Sequence, residues 1–369
     1  MESPIYENSV EKMMIQRSFM MQRPINGTLE LLPLCNMNCE MCYIRLDHSE
    51  MKTQGSLRTA DEWIRLGKEM QEAGVLILML TGGEPLLFPE FRRLYLALRK
   101  MGMILTVNTN GTLLNEEWAD FFGEYKPRRI NITLYGVSEE TYGALCHYPE
   151  GFEKAKKAIR LLRDKGVDVK INGSITKDNF NEIADLFAIG RQFDLPVHMD
   201  TYMLPGIRDR KLPLEKQARL LPKDAAAAEI DRLRGEFSSE DFMSYVEQML
   251  QRVENAEAEY PTGITCMAGN CSFAVNWQGQ MRPCITLSEP SVSVFDVGFE
   301  TSWNIIAQES KKFRLAPQCT TCRLRPICRV CVASAKLETG SYDKVPEYLC
   351  RYTHAYLELL QSISIRDSQ

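Results

Sequence analysis

Long hydrophobic runs are missing from this 369-residue chain. The longest, Val75 to Leu80, falls far short of the roughly 20 apolar residues that cross a bilayer, so no membrane span is expected. A basic excess is missing too: 44 Lys and Arg face 49 Asp and Glu, and the net charge of -5 is spread with both signs interspersed. Such a chain has no field to draw in a phosphate backbone, which argues against nucleic acid as a partner. The opening MESPIYENSVEKMMIQRSF lacks the basic, apolar, then small-residue order of a secretory signal, so a cytoplasmic protein is expected. Histidine is scarce at four, and the four are scattered, so each reads as a surface or packed residue rather than a ligand or base. No internal repeat or low-complexity tract is present.

What is there is an ordinary globular composition, 44% hydrophobic and 25% charged. The length exceeds one compact core and suggests a domain of roughly 200 residues with a smaller companion. The anomaly is twelve cysteines. A reducing cytosol does not support a disulfide framework, so clustered thiols there point to metal. Three lie at 35–42 and eight at 266–350, with Cys146 alone between them, which implies two metal-bearing regions.

Between residues 28 and 203, short apolar or β-branched runs alternate with longer amphipathic stretches, the pattern of successive β/α units. Six strands are predicted: Thr28 to Leu34, Val75 to Leu80, Ile104 to Asn108, Arg129 to Leu134, Val167 to Ile175 and Pro196 to Tyr202. Thr59 with Glu62 reads as a capping box, and Asn115 before EEW as another helix start. Gly74, Gly102 and Gly166 stand where helices should end. The fold expected is α/β, a partial (β/α)6 TIM-like barrel with its chemistry at the C-terminal strand ends, followed by a small cysteine-rich domain. The expected divisions are an N-terminal extension (1–23), the barrel (24–205), a helical bridge (206–262) and the cysteine-rich domain (263–369). Few long periodic segments are expected in the last, as in domains organised by metal.

Cys35, Cys39 and Cys42 fall in one loop after the first strand, within LPLCNMNCEMCYIRL. Three thiolates on a four-iron cubane leave one iron open to another ligand, whereas a closed electron-transfer site normally uses four. A zinc site is the plain alternative. Zinc favours paired Cys-x-x-Cys knuckles and a fourth ligand nearby, for which His48 is the only local candidate.

The Cys-x-x-x-Cys-x-x-Cys spacing resembles the signature of the radical S-adenosylmethionine (SAM) superfamily. The resemblance implies a SAM-binding 4Fe–4S cluster on Cys35, Cys39 and Cys42, and Tyr43 near the adenine. It also implies reductive cleavage of SAM to a 5′-deoxyadenosyl radical that abstracts hydrogen from a substrate. Thr81-Gly82-Gly83-Glu84-Pro85 is similar to the superfamily's GGEP motif for the methionine end of SAM. Two glycines allow close backbone approach, Glu84 can receive an ammonium group, and Pro85 fixes the turn. Thr106-Val107-Asn108-Thr109-Asn110-Gly111 resembles the TNG segment of relatives, and alternation puts Thr106 and Asn108 on one side, for ribose contact or for the turn itself. Thr133, and Asn172 and Ser174 on the fifth strand, share that ambiguity. Relatives often carry an acid where this chain has Leu134-Tyr135-Gly136.

The C-terminal spacing is Cys266-x4-Cys271-x12-Cys284, then Cys319-x2-Cys322-x5-Cys328-x2-Cys331, then Cys350. Eight thiols can complete two four-iron clusters, while the central run alone also suits a zinc ribbon. The region resembles the SPASM domain of peptide-modifying enzymes, with SFAVNWQGQMRPC reading as two strands around Gln278-Gly279. That likeness implies one auxiliary cluster on Cys266, Cys271, Cys284 and Cys331, and another on Cys319, Cys322, Cys328 and Cys350. Only Arg329 and Val330 precede the last cysteine of the central run, where the family often has three residues. The auxiliary clusters would accept or relay electrons, or serve structure alone.

Cys146 has no partner at ligand spacing and reads as a packed thiol. Asp200 and Tyr202 end the sixth predicted strand, and Asp200 is the candidate acid or base. The leading expectation is oxidative maturation of a ribosomally made peptide by crosslinking, thioether formation or a similar step. The implied partners are an electron donor such as flavodoxin or ferredoxin and, because the segment before the first strand is short, a separate leader-binding protein. Sulfatase maturation is disfavoured by Ile285, where those enzymes carry a basic-acting aspartate. Small-molecule or tetrapyrrole tailoring stays open. Outside enzymes, an iron–sulfur electron carrier or a zinc-stapled binding module is the alternative.

Overall fold

The computed structural model describes residues 9–206 and 217–367. Among the described residues nine strands are formed: β1 (Asn26–Glu30), β2 (Ile77–Thr81), β3 (Ile104–Thr109), β4 (Arg129–Thr133), β5 (Val169–Ser174), β6 (Val197–Asp200), β7 (Ser272–Val275), β8 (Gln280–Arg282) and β9 (Val292–Ser293). The chain divides into two compact units, one drawn from Met1–Cys35, Arg45–Asn108 and Ile264–Phe313, the other from Asn36–Ile44, Thr109–Gly263 and Arg314–Gln369. Among the described residues no helix is long and apolar enough to cross a membrane.

In the first unit β1 is a central strand, parallel to β2 on one side and β7 on the other, with β2 continuing to β3. The expected hairpin around Gln278-Gly279 is present as antiparallel β7 and β8, and β8 pairs on to β9. Gly27 is required where β1 meets β7, since a Cβ there would lie 2.5 Å from the Phe273 ring. The hairpin tip is held by Arg58, which donates to the Gln278 carbonyl at 3.0 Å, and by the Gln278 amide donating to the Gln54 carbonyl at 2.9 Å. Helix Ala60–Glu72 begins with the expected Thr59 and Glu62 capping box and buries Trp63, Leu66 and Met70, the i, i+3, i+7 face of an amphipathic helix.

The predicted first strand, Thr28 to Leu34, is displaced: the ladder covers Asn26–Glu30. Beyond Leu31, whose N–H still reaches the Thr81 carbonyl at 2.9 Å, the Leu32 and Leu34 carbonyls are taken by the Gly82-Gly83-Glu84 turn and the Pro33 carbonyl by the Leu46 N–H, instead of by a neighbouring strand. The other five predicted strands differ by one or two residues at their ends, with β6 ending at Asp200 before Tyr202.

The second unit holds parallel β4, β5 and β6, registered Thr133 to Asn172 and Asn172 to His198. Helices Pro222–Glu236 and Ser239–Glu254 fill the expected helical stretch. The structure departs from the expectation of few long periodic elements near the C-terminus: helix Glu347–Asp367 has 21 residues. Leu349, Tyr352, Tyr356 and Leu360 repeat at helical spacing and are buried, while the interleaved Arg351, His354 and Glu358 dilute the apolar signal in the sequence.

Candidate cofactor sites

In the first unit, the turn after β2 is built by the backbone. Gly83 N–H donates to the Leu32 carbonyl at 2.7 Å and Glu84 N–H to the Leu34 carbonyl at 2.9 Å, so the turn is stitched to the three residues that lead into Cys35. Gly82 has φ of 151°, and a Cβ on it would lie 2.6 Å from the Leu32 oxygen. A Cβ on Gly83 would stand 2.2 Å from the Leu34 oxygen, closer than any side chain can approach. Glu84 is fully buried and accepts the Leu86 N–H at 3.0 Å, capping the 3-10 turn Pro85–Leu87 that Pro85 opens. On β3, Thr106 and Asn108 are half-buried on one face and alternate with buried Leu105 and Val107.

In the second unit, the rest of the cysteine loop rests on helix Glu139–Cys146. Asn38 N–H donates to the Cys146 carbonyl at 3.1 Å and Glu40 N–H to the Leu145 carbonyl at 2.9 Å, so the loop satisfies carbonyls that a helix end leaves open. The Glu40 carboxylate meets His147 Nε2 at 2.5 Å. Asn36, next to Cys35, donates to Thr112 at 2.8 Å and accepts from Asn110 at 3.0 Å. The TNG segment therefore serves both its own turn and the cysteine loop. Cys39 is buried with its thiol hydrogen-bonded to Cys146; that bond, reinforced by burial, pushes the Cys39 thiol well above its usual range. Cys42 and Tyr43 are half-buried.

The C-terminal cysteines divide between the units. In the first, Cys271 is fully buried and its carbonyl accepts the Ile25 and Asn26 N–H groups at 3.0 and 3.2 Å. Burial, with the Cys266 charge, pushes its thiol up to about 11. Burial raises Cys284 too, again with Cys266 contributing. In the second unit, Cys319, Cys322, Cys328 and Cys350 line one cavity of about 200 Å³ with Val330, Val345, Pro346 and Leu349. Burial and the three neighbouring thiols push Cys350 up to about 11. Among the described residues no three potential ligands gather tightly enough to hold one metal ion. A zinc site needs thiolates about 2.3 Å from one centre. These four instead surround an apolar volume much larger than the roughly 15 Å³ that admits a single water, an arrangement that fits a cubane. Cys331, in the same unit, caps helix Val332–Thr339 by accepting the Ser334 N–H on its sulfur at 3.4 Å.

The profile of the Radical SAM superfamily matches residues 29–189. The chain carries a radical SAM domain. SAM and a 4Fe–4S cluster are the cofactors such a domain implies. The AdoMet-dependent heme synthase of Methanosarcina barkeri is 24% identical over 343 residues, covering 88% of this chain and 95% of that protein. The PqqA peptide cyclase of Gluconobacter oxydans is 25% identical over 295 residues, 76% of this chain and 77% of that protein. Among solved structures, native anSMEcpe with bound AdoMet and Cp18Cys peptide superposes with a TM-score of 0.68 at 20% identity, over 93% of this chain and 99% of that one. The likeness shows the fold, an α/β partial barrel of parallel strands.

Within the second unit, the strand register gives the radical SAM domain one polar row that the sequence reading only partly gathered: Asn131 beside Lys170, Thr133 beside Asn172 and His198, and Ser174 beside Asp200. Burial lowers both Lys170 and His198. Asp200 is exposed, with its carboxylate 3.8 Å from His198 Nε2. Tyr202 is committed elsewhere: its hydroxyl donates to Glu338 at 2.8 Å, and burial raises its ionisation far above neutrality. Arg219 closes this group, donating to Glu338 at 2.7 Å and stacking 3.4 Å above the Tyr348 ring, two residues before Cys350. A second buried group, Glu229 with Arg232, Thr201 and Arg329, ties the end of β6 to the segment between Cys328 and Cys331.

Cys146 is packed, as its sequence setting suggested, and its thiol meets Cys39, reached through the fold from more than a hundred residues away. Glu182 was missed; it brings its carboxylate to the Tyr135-Gly136 region, accepting the Val137 N–H at 2.7 Å and the Thr141 hydroxyl. A Cβ on Gly136 would lie 2.7 Å from that carboxylate. Neither carries a sequence signal, because both depend on which helix end packs against which loop.

Proposed function

We propose that the chain is a radical SAM enzyme that oxidatively modifies a ribosomally made peptide, using one SAM-binding cluster on Cys35, Cys39 and Cys42 and two auxiliary clusters. When bound and reduced, the first cluster with SAM supplies a 5′-deoxyadenosyl radical that takes a hydrogen atom from the substrate. The chain's own work is placement. Gly82 and Gly83 let backbone approach closely, Glu84 is sited to receive the SAM ammonium beside its bond to Leu86, and Pro85 holds the turn. Thr106, Asn108 and Thr133 offer polar contacts for the ribose, and Tyr43 for the adenine. Asp200, exposed beside His198, is the candidate proton acceptor.

The observation that carries the reading is the cavity lined by Cys319, Cys322, Cys328 and Cys350, because it gives the chain a complete four-thiol site in addition to the triad. Cys266, Cys271 and Cys284 are proposed to supply thiolates to the third cluster. Loss of a hydrogen atom followed by loss of one electron and one proton oxidises the substrate by two electrons, and the auxiliary clusters would take that electron. A flavodoxin or ferredoxin would reduce the first cluster, and a separate protein would present the peptide leader.

The near full-length likeness to AdoMet-dependent heme synthases favours a second reading, oxidation of a tetrapyrrole side chain. Anaerobic reconstitution with iron and sulfide, reduction and addition of SAM should release 5′-deoxyadenosine. Adding short peptides encoded beside the gene, against a panel of porphyrins, decides the substrate: a peptide product lighter by two hydrogens supports the first reading, and an oxidised porphyrin alone overturns it.

A further inference from the structure

Arg325 lies between two of the four cavity cysteines and is fixed by both. Its N–H donates to the Cys322 carbonyl at 2.9 Å, and its carbonyl accepts the Cys328 N–H at 3.2 Å. Its side chain lines the cavity with Cys319, Cys322, Cys328 and Cys350. One terminal nitrogen reaches the Cys328 carbonyl at a long 3.5 Å. The Nε–H is buried and makes no hydrogen bond. The residues lining the cavity include this cation and no carboxylate to pair with it; the rest are cysteines, apolar residues and Gln318. A guanidinium does not lose its proton inside a protein, and a buried donor left unmade is costly. The arrangement suits an anion with soft acceptor atoms seated among the four thiolates.

We propose that Arg325 is the charge-compensating hydrogen-bond donor of the auxiliary cluster held by Cys319, Cys322, Cys328 and Cys350, raising its reduction potential so that it accepts an electron. The inference rests on the four-iron reading of that cavity and deepens it. A 4Fe–4S core of charge 2+ with four thiolates is a dianion, and one added electron makes it a trianion; no bond forms or breaks, and the electron comes from the oxidised substrate radical or, in the test, from dithionite. A fixed cation beside the cluster favours the more negative state. An N–H to its sulfur does the same, as hydrogen bonds to cluster sulfurs set potential generally.

The test uses the reconstituted full chain with Cys35, Cys39 and Cys42 changed to Ala, so that only auxiliary clusters report. The relevant signal is the one lost when Cys319, Cys322, Cys328 and Cys350 are also changed to Ala. In an EPR-monitored titration, Arg325→Gln should shift that cluster's reduction equilibrium at least tenfold toward the oxidised form, about 59 mV more negative for one electron. Arg325→Lys, which keeps the charge and loses the planar donor, should shift it less. An unchanged potential in Arg325→Gln at unchanged iron content overturns the proposal and leaves the cluster reading standing. A second readout needs no Arg325 variant: 15N-arginine labelling should give a nitrogen hyperfine coupling on the reduced signal, and its absence overturns the proposal even if Arg325→Gln fails to assemble. If changing all four cavity cysteines to Ala removes no iron, there is no cluster in the cavity and both fall.

Discussion

At the Thr81–Pro85 turn the site is made of backbone, and at the Cys319–Cys350 cavity it is made of side chains. The turn works by having nothing at two positions: Gly82 and Gly83 lie so close to the Leu32 and Leu34 carbonyls that any Cβ collides. The cavity works by what converges on it, four thiols carried by a short turn, a loop and the long Glu347–Asp367 helix. A backbone site is rigid without its ligand and intolerant of substitution. A side-chain site keeps its fold when one ligand changes, and loses only what that ligand held. On the proposed function the difference would matter, because the first site would position SAM closely while the second would have only to keep a cluster in an apolar, tunable setting.

The contrast can be broken most sharply at Gly83. Gly83→Ala should cost roughly 3 kcal/mol or more in urea unfolding and abolish SAM binding, because the Leu34 carbonyl cannot retreat without moving Cys35. A variant with ordinary stability and affinity would show that the turn is more yielding than its geometry implies. Next in size, changing Cys319, Cys322, Cys328 and Cys350 together to Ala should lose about four irons per chain with unchanged far-ultraviolet circular dichroism and continued 5′-deoxyadenosine release. Loss of helix content instead would make the cavity as structural as the turn. Thr59→Ala removes a capping box remote in sequence from both sites and should cost about 1 kcal/mol with iron content unchanged.

The smallest effect concerns His198. Burial lowers its proton affinity below that of an unfolded histidine, so protonation favours unfolding. Its contribution to stability is present above the ordinary histidine range and is lost as pH falls through that range. Comparing urea midpoints at pH 7.5 and 5.5, wild type should lose slightly more stability than His198→Gln; its side chain is 42% exposed, which keeps the difference small. An equal loss would show that the imidazole feels no burial.

The two sites also differed in how far they could be read from sequence. The turn is five contiguous residues after an apolar strand, so local chemistry explained both glycines, while its link to SAM came through family resemblance. The membership of Cys350 in the cavity came only through family resemblance, because it sits on a helix whose apolar stripe is interrupted by Arg351, His354 and Glu358. The early end of β1 was not legible either, since it depends on the distant turn capturing the Leu32 and Leu34 carbonyls. Cys146 and Glu182 act through packing between separate segments, which leaves no periodicity or spacing to read. Buried Glu229 and half-buried Glu338 carry no sequence signal of their own; only their partners Arg232, Arg329 and Arg219, brought to them by the fold, give them meaning.

The most direct test of the central claim is iron and sulfide analysis of the anaerobically reconstituted full chain, with 5′-deoxyadenosine measured after reduction and SAM addition, beside the variant in which Cys35, Cys39 and Cys42 are Ala. The wild type should hold about twelve irons per chain and the variant about eight, and only the wild type should release 5′-deoxyadenosine. A wild type that binds zinc in place of iron, or a triad variant that still cleaves SAM, would contradict it.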